Sequence, residues 1–598
     1  MTWSMSSDYC TWEGVTCDNK TGNVIGLDLS CSQLEGAIFP KSTLFQFSHL
    51  QFLDLTWNAF SLSNQFPQEF GFFAKDLTHL NLSNTGFSGR VPQNLTQLRV
   101  LNLEAVDISS VLPTNLSTSL RVLDLAVVAV PGVLPQEVFH HPNLEVLDLY
   151  FNSIAFSDIV PEVKWGRNES LFNLSTSLRY LILGGRISGV LPQEVFHLPN
   201  LEVLEIWAWE LSNNLTAALP KDLGSNSLTG PLPSWLFANP LLQVLDLSYN
   251  RFTDLLHEFD SSNSQLQVFS CGHNLLYGPI PQSFFQLVNL TQLVFSSNNF
   301  SGVLDSEMFS HLKNLYTLDF SHNSLSVRNT SMVTLPPKLH HLGLASCNMK
   351  EFPRFSADAK FIEHIDLSKN ELHGEIPHGI GSMSWDLYSY LNLSRNRLTG
   401  GLEHINWNDI WYLDIQSNLL NGSLPNLFCN SSSLKILNLS YNNLSGVLPI
   451  CQTNLTRLLV FDLRMNNIQG NIPPTFSNFR NLKSINLYGN KLEGRVPTSF
   501  SELEQLETLD LGSNQLHDTF PQCLESLPNI RVLVLKSNNF HGLINQSSKI
   551  EHPFPNLRKY LGIIFSTLIF NPISLVDHYP PRSVIRALFS SLICLITL

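Results

Sequence analysis

The sequence is short of charge and does not concentrate what it has: 14% of its 598 residues are charged, the formal net charge is −14, and Lys and Arg form no block. Nucleic-acid grooves and anionic membrane surfaces are held by clustered cations, so neither is an expected partner. No CxxC occurs among the nine cysteines, which excludes zinc-ribbon and thioredoxin-like sites. There is no Gly-rich phosphate loop, HExxH, GxSxG or kinase motif set, the patterns on which those binding and catalytic chemistries rest. The nineteen histidines are scattered, and pairs such as His140–His141 and His340–His341 read as solvated edges rather than metal ligands. No enzyme activity, metal or cofactor is expected. Long apolar runs are missing too. Near the C-terminus LGIIFSTLIFNPISLV and ALFSSLICLITL fall below the ~18–20 continuous apolar residues of a membrane span. Met1 to Ser7 has neither the basic start nor the apolar run of a signal peptide, so the chain reads as one whose start lies late.

What the sequence does have is a period. Ile410, Leu434, Leu458, Leu482, Leu506 and Ile530 lead units repeated at about 24 residues, the step of a solenoid. LKILNLSYNNLSGVLP and LKSINLYGNKLEGRVP fit the template LxxLxLxxNxLxGxIP. In it the LxL pair turns two apolar side chains to one face of a short strand, because strand side chains alternate. The Asn follows the strand and has donors and acceptors for backbone groups of adjacent coils. No unit buries its apolar residues alone, so stacking must do it. Further starts from Val24 through Leu50, Leu77 and onward to Tyr388 bring the number to about 22 units. The stretch 98–241 is irregular, with Val106, Val128 and Trp209 at ladder-Asn positions, whereas 410–540 is regular.

The GxIP ending, here GVLP, GNIP and GRVP, resembles the plant-type extracellular leucine-rich repeat. Tyr9–Asp18, YCTWEGVTCD, is similar to the CxWxGVxC end of the N-terminal cap in plant leucine-rich-repeat proteins. The best-matched family is the plant leucine-rich-repeat receptor-like proteins, cell-surface receptors without a kinase domain. The expected fold is an α/β-class solenoid with parallel strands on the concave face and coils and 3₁₀ turns on the convex side. Its expected divisions are a partial cap at 1–23, the repeat array at 24–545, and a non-repeat apolar tail at 546–598 that reads as mistranslated.

The resemblance implies a receptor ectodomain on the extracellular side of the plasma membrane. It would bind a peptide or protein ligand and signal through partner receptor kinases in defence. Membrane anchoring is expected of the family, although no clear transmembrane helix occurs in this chain. Two alternatives stand beside it: a soluble inhibitor of a pathogen enzyme, and a non-functional truncated fragment. The expected ligand contacts are Trp57, Tyr150, Phe151, Glu205 and Trp207, because bulky aromatics anchor interfaces. Tyr249, Tyr441 and Tyr488 are placed on the same face, and the acids between strand leucines (Asp54, Asp124, Asp148, Asp246, Asp319, Asp510) as an exposed row. Disulfides are expected at Cys10–Cys17, in the cap motif, and at Cys429–Cys451, where stacked coils bring equivalent loops together and related receptors carry a similar pair. Cys271 and Cys347 are expected as buried thiols. Sequons mark Asn19, Asn81, Asn94, Asn115, Asn168, Asn173, Asn214, Asn289, Asn299, Asn329, Asn392, Asn421, Asn430, Asn438, Asn443, Asn454 and Asn545 for N-glycosylation.

Overall fold

The computed structural model describes residues 8–60, 65–73, 75–91, 95–108, 117–126, 141–150, 163–165, 175–184, 187–190, 198–206, 227–328, 335–353, 362–377, 389–408, 410–452, 455–542 and 559–560. The chain divides into two compact units, Met1–Leu211 with Ala218–Asn299, and Ser212–Ala217 with Phe300–Leu598.

Each unit is a parallel ladder of strands three to five residues long, one per coil, as the template requires. In the first unit the ladder starts at Val24–Asp28 and Phe52–Asp54, paired Gly26 to Phe52 and Leu27 to Leu53. It reaches Gln292–Val294 with Phe269 opposite Leu293. In the second unit it runs from Thr317–Asp319 to Val532–Val534. Lys559–Tyr560 then adds one more strand, parallel to Val532–Val534. Repeat-like pairing therefore extends past residue 545, where the sequence pattern fades. The apolar strand residues alternate inward, as at Leu147 and Leu149 or Leu437 and Leu439. Among the described residues the helical segments are 3₁₀ turns, such as Gln282–Gln286 and Thr498–Glu502. Phenylalanines from these turns meet those of the strands: Phe284 stacks on Phe269 at 4.8 Å and Phe476 packs edge-on to Phe461 at 5.5 Å.

The ladder asparagine does what its amide allows. Asn442 Nδ2 donates to the carbonyls of Ile415, Leu439 and Ser440 at 3.0, 3.1 and 3.3 Å, and its Oδ1 accepts from Leu420 N–H at 3.1 Å. One side chain thus ties its own turn to the preceding coil. The residue before it adopts left-handed φ, for example 56° at Trp57, 55° at Tyr249 and 54° at Tyr441. Where Asn is missing, substitutes differ. Thr85 Oγ1 donates to Leu82 O at 2.6 Å, and Cys347 Sγ lies 3.5 Å from the carbonyls of Phe320 and Ala345. Val106 is buried and can offer nothing. Val128 and Trp209 lie outside the described residues.

At the N-terminus Val15–Cys17 pairs antiparallel with Val24–Asp28 and covers the first strand's open edge. The Cys10–Cys17 and Cys429–Cys451 bridges are both formed, with Cα separations of 5.5 and 5.1 Å. Cys271 and Cys347 are buried free thiols, and burial pushes the Cys347 thiol up to about 12. The Cys429–Cys451 bridge spans 22 residues. Replacing both by Ser is expected to cost ~2–3 kcal/mol, read as a lower calorimetric transition. An unchanged transition would mean that packing alone holds these coils.

Candidate functional site

The strand face of the first unit is built from side chains that alternate away from the core, so each outward position forms a row across consecutive strands. One row is apolar. Val100, Val122, Val146, Tyr180, Val203 and Val244 stand opposite one another strand by strand, followed by Val268. All are half-buried. Two residues further along each strand lies a row that is polar except at Ile182: Asn102, Asp124, Asp148, Ile182, Glu205 and Asp246 in the same register.

These acids are not the freely exposed row expected from the sequence. Asp148 Oδ1 accepts Tyr150 N–H at 2.8 Å, and Asp246 Oδ1 accepts Ser248 N–H at 2.9 Å. Each carboxylate folds back to close the strand end, an Asx turn, and this half-buries it. Burial is the main reason the Asp148 carboxyl rises to about 6, and the nearby charges of Asp124, Glu205 and Glu104 add to it. Asp124 and Asp246 are also raised, first by burial. Of the cations beside the face, Arg121 pairs with Glu145 at 3.1 Å and Arg179 is bidentate on Glu202 at 2.7 and 2.9 Å, while Arg99 is exposed one strand before Arg121.

The second unit has the same rows with different chemistry. At the position of the valine row stands a stack of rings: His341 on His364 at 4.0 Å, His364 on Tyr390 at 4.0 Å and Tyr390 on Tyr412 at 4.2 Å. It leads into buried Ile436 and Val460. In its acid row Asp414 is only 4% exposed, and Asp462 and Asp510 are buried as well. The first unit's face is therefore the more open of the two.

Of the expected contacts, Trp57 is 65% exposed. Tyr150, just past the strand Val146–Leu149, and Glu205, on Val203–Ile206, are half-buried in the first unit, with Ile182 between Asp148 and Glu205. Phe151 and Trp207 lie outside the described residues. Tyr249 stacks on His273 at 4.2 Å, and Tyr441 carries the Arg464 guanidinium 5.6 Å from its ring centre. The valine row and the ring stack were not anticipated. Their positions are fixed by the LxxL spacing, but their role depends on which neighbours share the row.

Asn438 does not suit glycosylation in this fold. It is 1% exposed, and its amide donates to Asp414 at 3.2 Å while accepting from Ser440. Asn81 and Asn392 occupy the same strand position and likewise donate to Asp54 and Asp366. Asn19, Asn289, Asn299, Asn421, Asn430 and Asn443 are exposed. Asn94, Asn115, Asn168, Asn173, Asn214, Asn329, Asn454 and Asn545 lie outside the described residues. Among the described residues no group of three or more His, Cys, Asp or Glu could hold a metal ion, and no helix is long and apolar enough to cross a membrane.

Comparison with known proteins gives the same repeat. A leucine rich repeat family profile matches 432–492, 456–516 and 480–540, and related profiles match 76–98, 238–255 and 361–383. Receptor-like protein 39 of Arabidopsis thaliana is 32% identical over 62% of this chain and 42% of its own length. Receptor-like protein 41 of the same plant is 32% identical over 65% and 44%. The chain thus spans less than half the length of these relatives. Among solved structures, the leucine-rich-repeat ectodomain of the Arabidopsis receptor kinase HAESA, in complex with an N-terminally extended IDA peptide hormone, is 27% identical with a TM-score of 0.63 over 90% of both chains. The PEPR1–AtPEP1 structure is 27% identical with a TM-score of 0.57, over 90% of this chain and 75% of that one.

Proposed function

From the premise that this chain is a leucine-rich-repeat protein of the plant receptor-like type, we propose that its strand face binds a peptide or protein ligand at the outer surface of the plasma membrane. Signalling, in defence, would pass to partner receptor kinases. The observation that carries this reading is the half-open strand face of the first unit, which runs in register from Val100–Asn102 to Val268–Ser270. Such a face offers an extended surface to a chain-like ligand, which is how solenoids are used. The likeness to an ectodomain in complex with a peptide hormone supports it. Trp57, Tyr150, Phe151, Glu205 and Trp207 are the proposed contacts.

The test starts from peptides selected from a random library on the immobilised chain. Tyr150→Ala should weaken selected peptides by at least ~2 kcal/mol, the cost of removing a hot-spot aromatic, while Tyr488→Ala leaves them unchanged. Calorimetric titration measures both. The reverse pattern would move the contact to the second unit. A library that yields no binder would count against the peptide-binding reading itself.

A further inference from the structure

We propose that the strand face of the first unit takes an extended peptide segment that is both basic and apolar, with apolar side chains on the valine row and Lys or Arg side chains on the acid row beside it. This rests on the reading of that face as a ligand site and adds the ligand's chemistry.

The apolar row is Val100, Val122, Val146, Tyr180, Val203, Val244 and Val268, half-buried and in register. Strand propensity favours Val at such positions, but propensity acts in both units, and the second unit carries His341, His364, Tyr390 and Tyr412 there instead. A continuous apolar stripe left half-open to water marks a contact surface.

Charge selects the occupant. Asp124, Asp148 and Asp246 lie two residues along from that stripe, and the groups acting on their carboxyls include no cation. The nearby Arg121 and Arg179 are spent on Glu145 and Glu202 in their own row, and Arg99, one strand earlier, acts on His79 rather than on these carboxyls. An acidic segment would be repelled, whereas a basic one supplies the missing charge. Spacing agrees. Asp148 and Asp246 are separated by three strand intervals, through Ile182 and Glu205. At ~4.8 Å each these span roughly 14 Å, and residues i and i+4 of an extended chain at ~3.4 Å per residue span the same distance. Binding should also depend on pH. The groups around Asp148 are Asp124, Glu205 and Glu104, with Tyr150 N–H on its Oδ1. Its carboxyl, held up near 6, must ionise to meet a cation, so affinity should rise from pH 5 to pH 7.

The probes are an alternating Lys–Leu peptide of about 12 residues, long enough to cross the row, with matched Glu–Leu and Lys–Ser peptides. The protein is the full chain. Asn at these positions keeps the turn, since Asn102 Oδ1 accepts Glu104 N–H at 3.0 Å, and thermal unfolding confirms folding of each variant. The expected result is that Lys–Leu binds and the other two bind at least tenfold more weakly. The triple variant Asp124→Asn, Asp148→Asn, Asp246→Asn should lose at least tenfold for Lys–Leu and lose the pH dependence. A charge-matched triple in the second unit, Asp319→Asn, Asp366→Asn, Asp518→Asn, should keep both. Equal loss in the two triples would reduce the effect to diffuse attraction by an acidic protein and overturn the proposal, as would equal binding of Glu–Leu. If library-selected peptides bind but are not basic, this inference fails and the proposed function stands. If nothing is selected, the proposed function fails first.

Discussion

Asn442→Ala should cost the second unit ~1–3 kcal/mol, because it leaves one buried N–H without a partner and takes one donor from each of three carbonyls. The N–H is that of Leu420; the carbonyls are those of Ile415, Leu439 and Ser440, which keep the Asn418 amide, the Asn466 amide and the Ser417 N–H as donors. The side chain is buried, so water reaches these atoms poorly. The damage should also be local. A repeat array is held by nearest-neighbour interfaces, so hydrogen exchange should speed up most at 415–444, and denaturant unfolding should begin earlier and broaden. Exchange that rises evenly across the unit would contradict this picture, and so would a cost below ~1 kcal/mol, the worth of one ordinary hydrogen bond.

The second large effect concerns pH. Burial raises the carboxyls of Asp414 to about 7, Asp462 to about 6 and Asp510 to about 7. An ordinary Asp carboxyl titrates near 3.8, so between about pH 4 and pH 7 the folded state holds more protons than the unfolded state. Unfolding free energy therefore falls as pH rises through that window. Asp510→Asn isolates one term, since Asn retains an acceptor for the Gly512 N–H now bonded at 2.9 Å. The variant should match the parent near pH 4 and exceed it at pH 8 by on the order of 3 kcal/mol. Urea unfolding at the two pH values decides this. A parent protein that gains stability from pH 4 to pH 7 would overturn the assignment.

The sequence by itself determined the repeat and its strand rows, because the LxxLxL spacing leaves a strand only one way to turn its leucines inward. It also determined the ladder asparagines, whose amides are the side chains able to serve two coils at once, and the two disulfides. The strand at Lys559–Tyr560 escaped it, since pairing with Val532–Val534 needs backbone rather than the motif. Only the tertiary structure decided the chemistry of the face. Asp148 looks like a solvent-facing acid in LEVLDLYFN, but the Tyr150 N–H folds it inward and Asp124 and Glu205 stand near it, one from a neighbouring strand and one from two strands away. Asn438 looks like a glycan acceptor in NLS, but Asp414 of the neighbouring coil occupies its amide. In each case a contact also comes from a residue more than 20 positions away, Asp124 for Asp148 and Asp414 for Asn438, brought to about one strand spacing by stacking, and a local motif holds no record of which residue that will be.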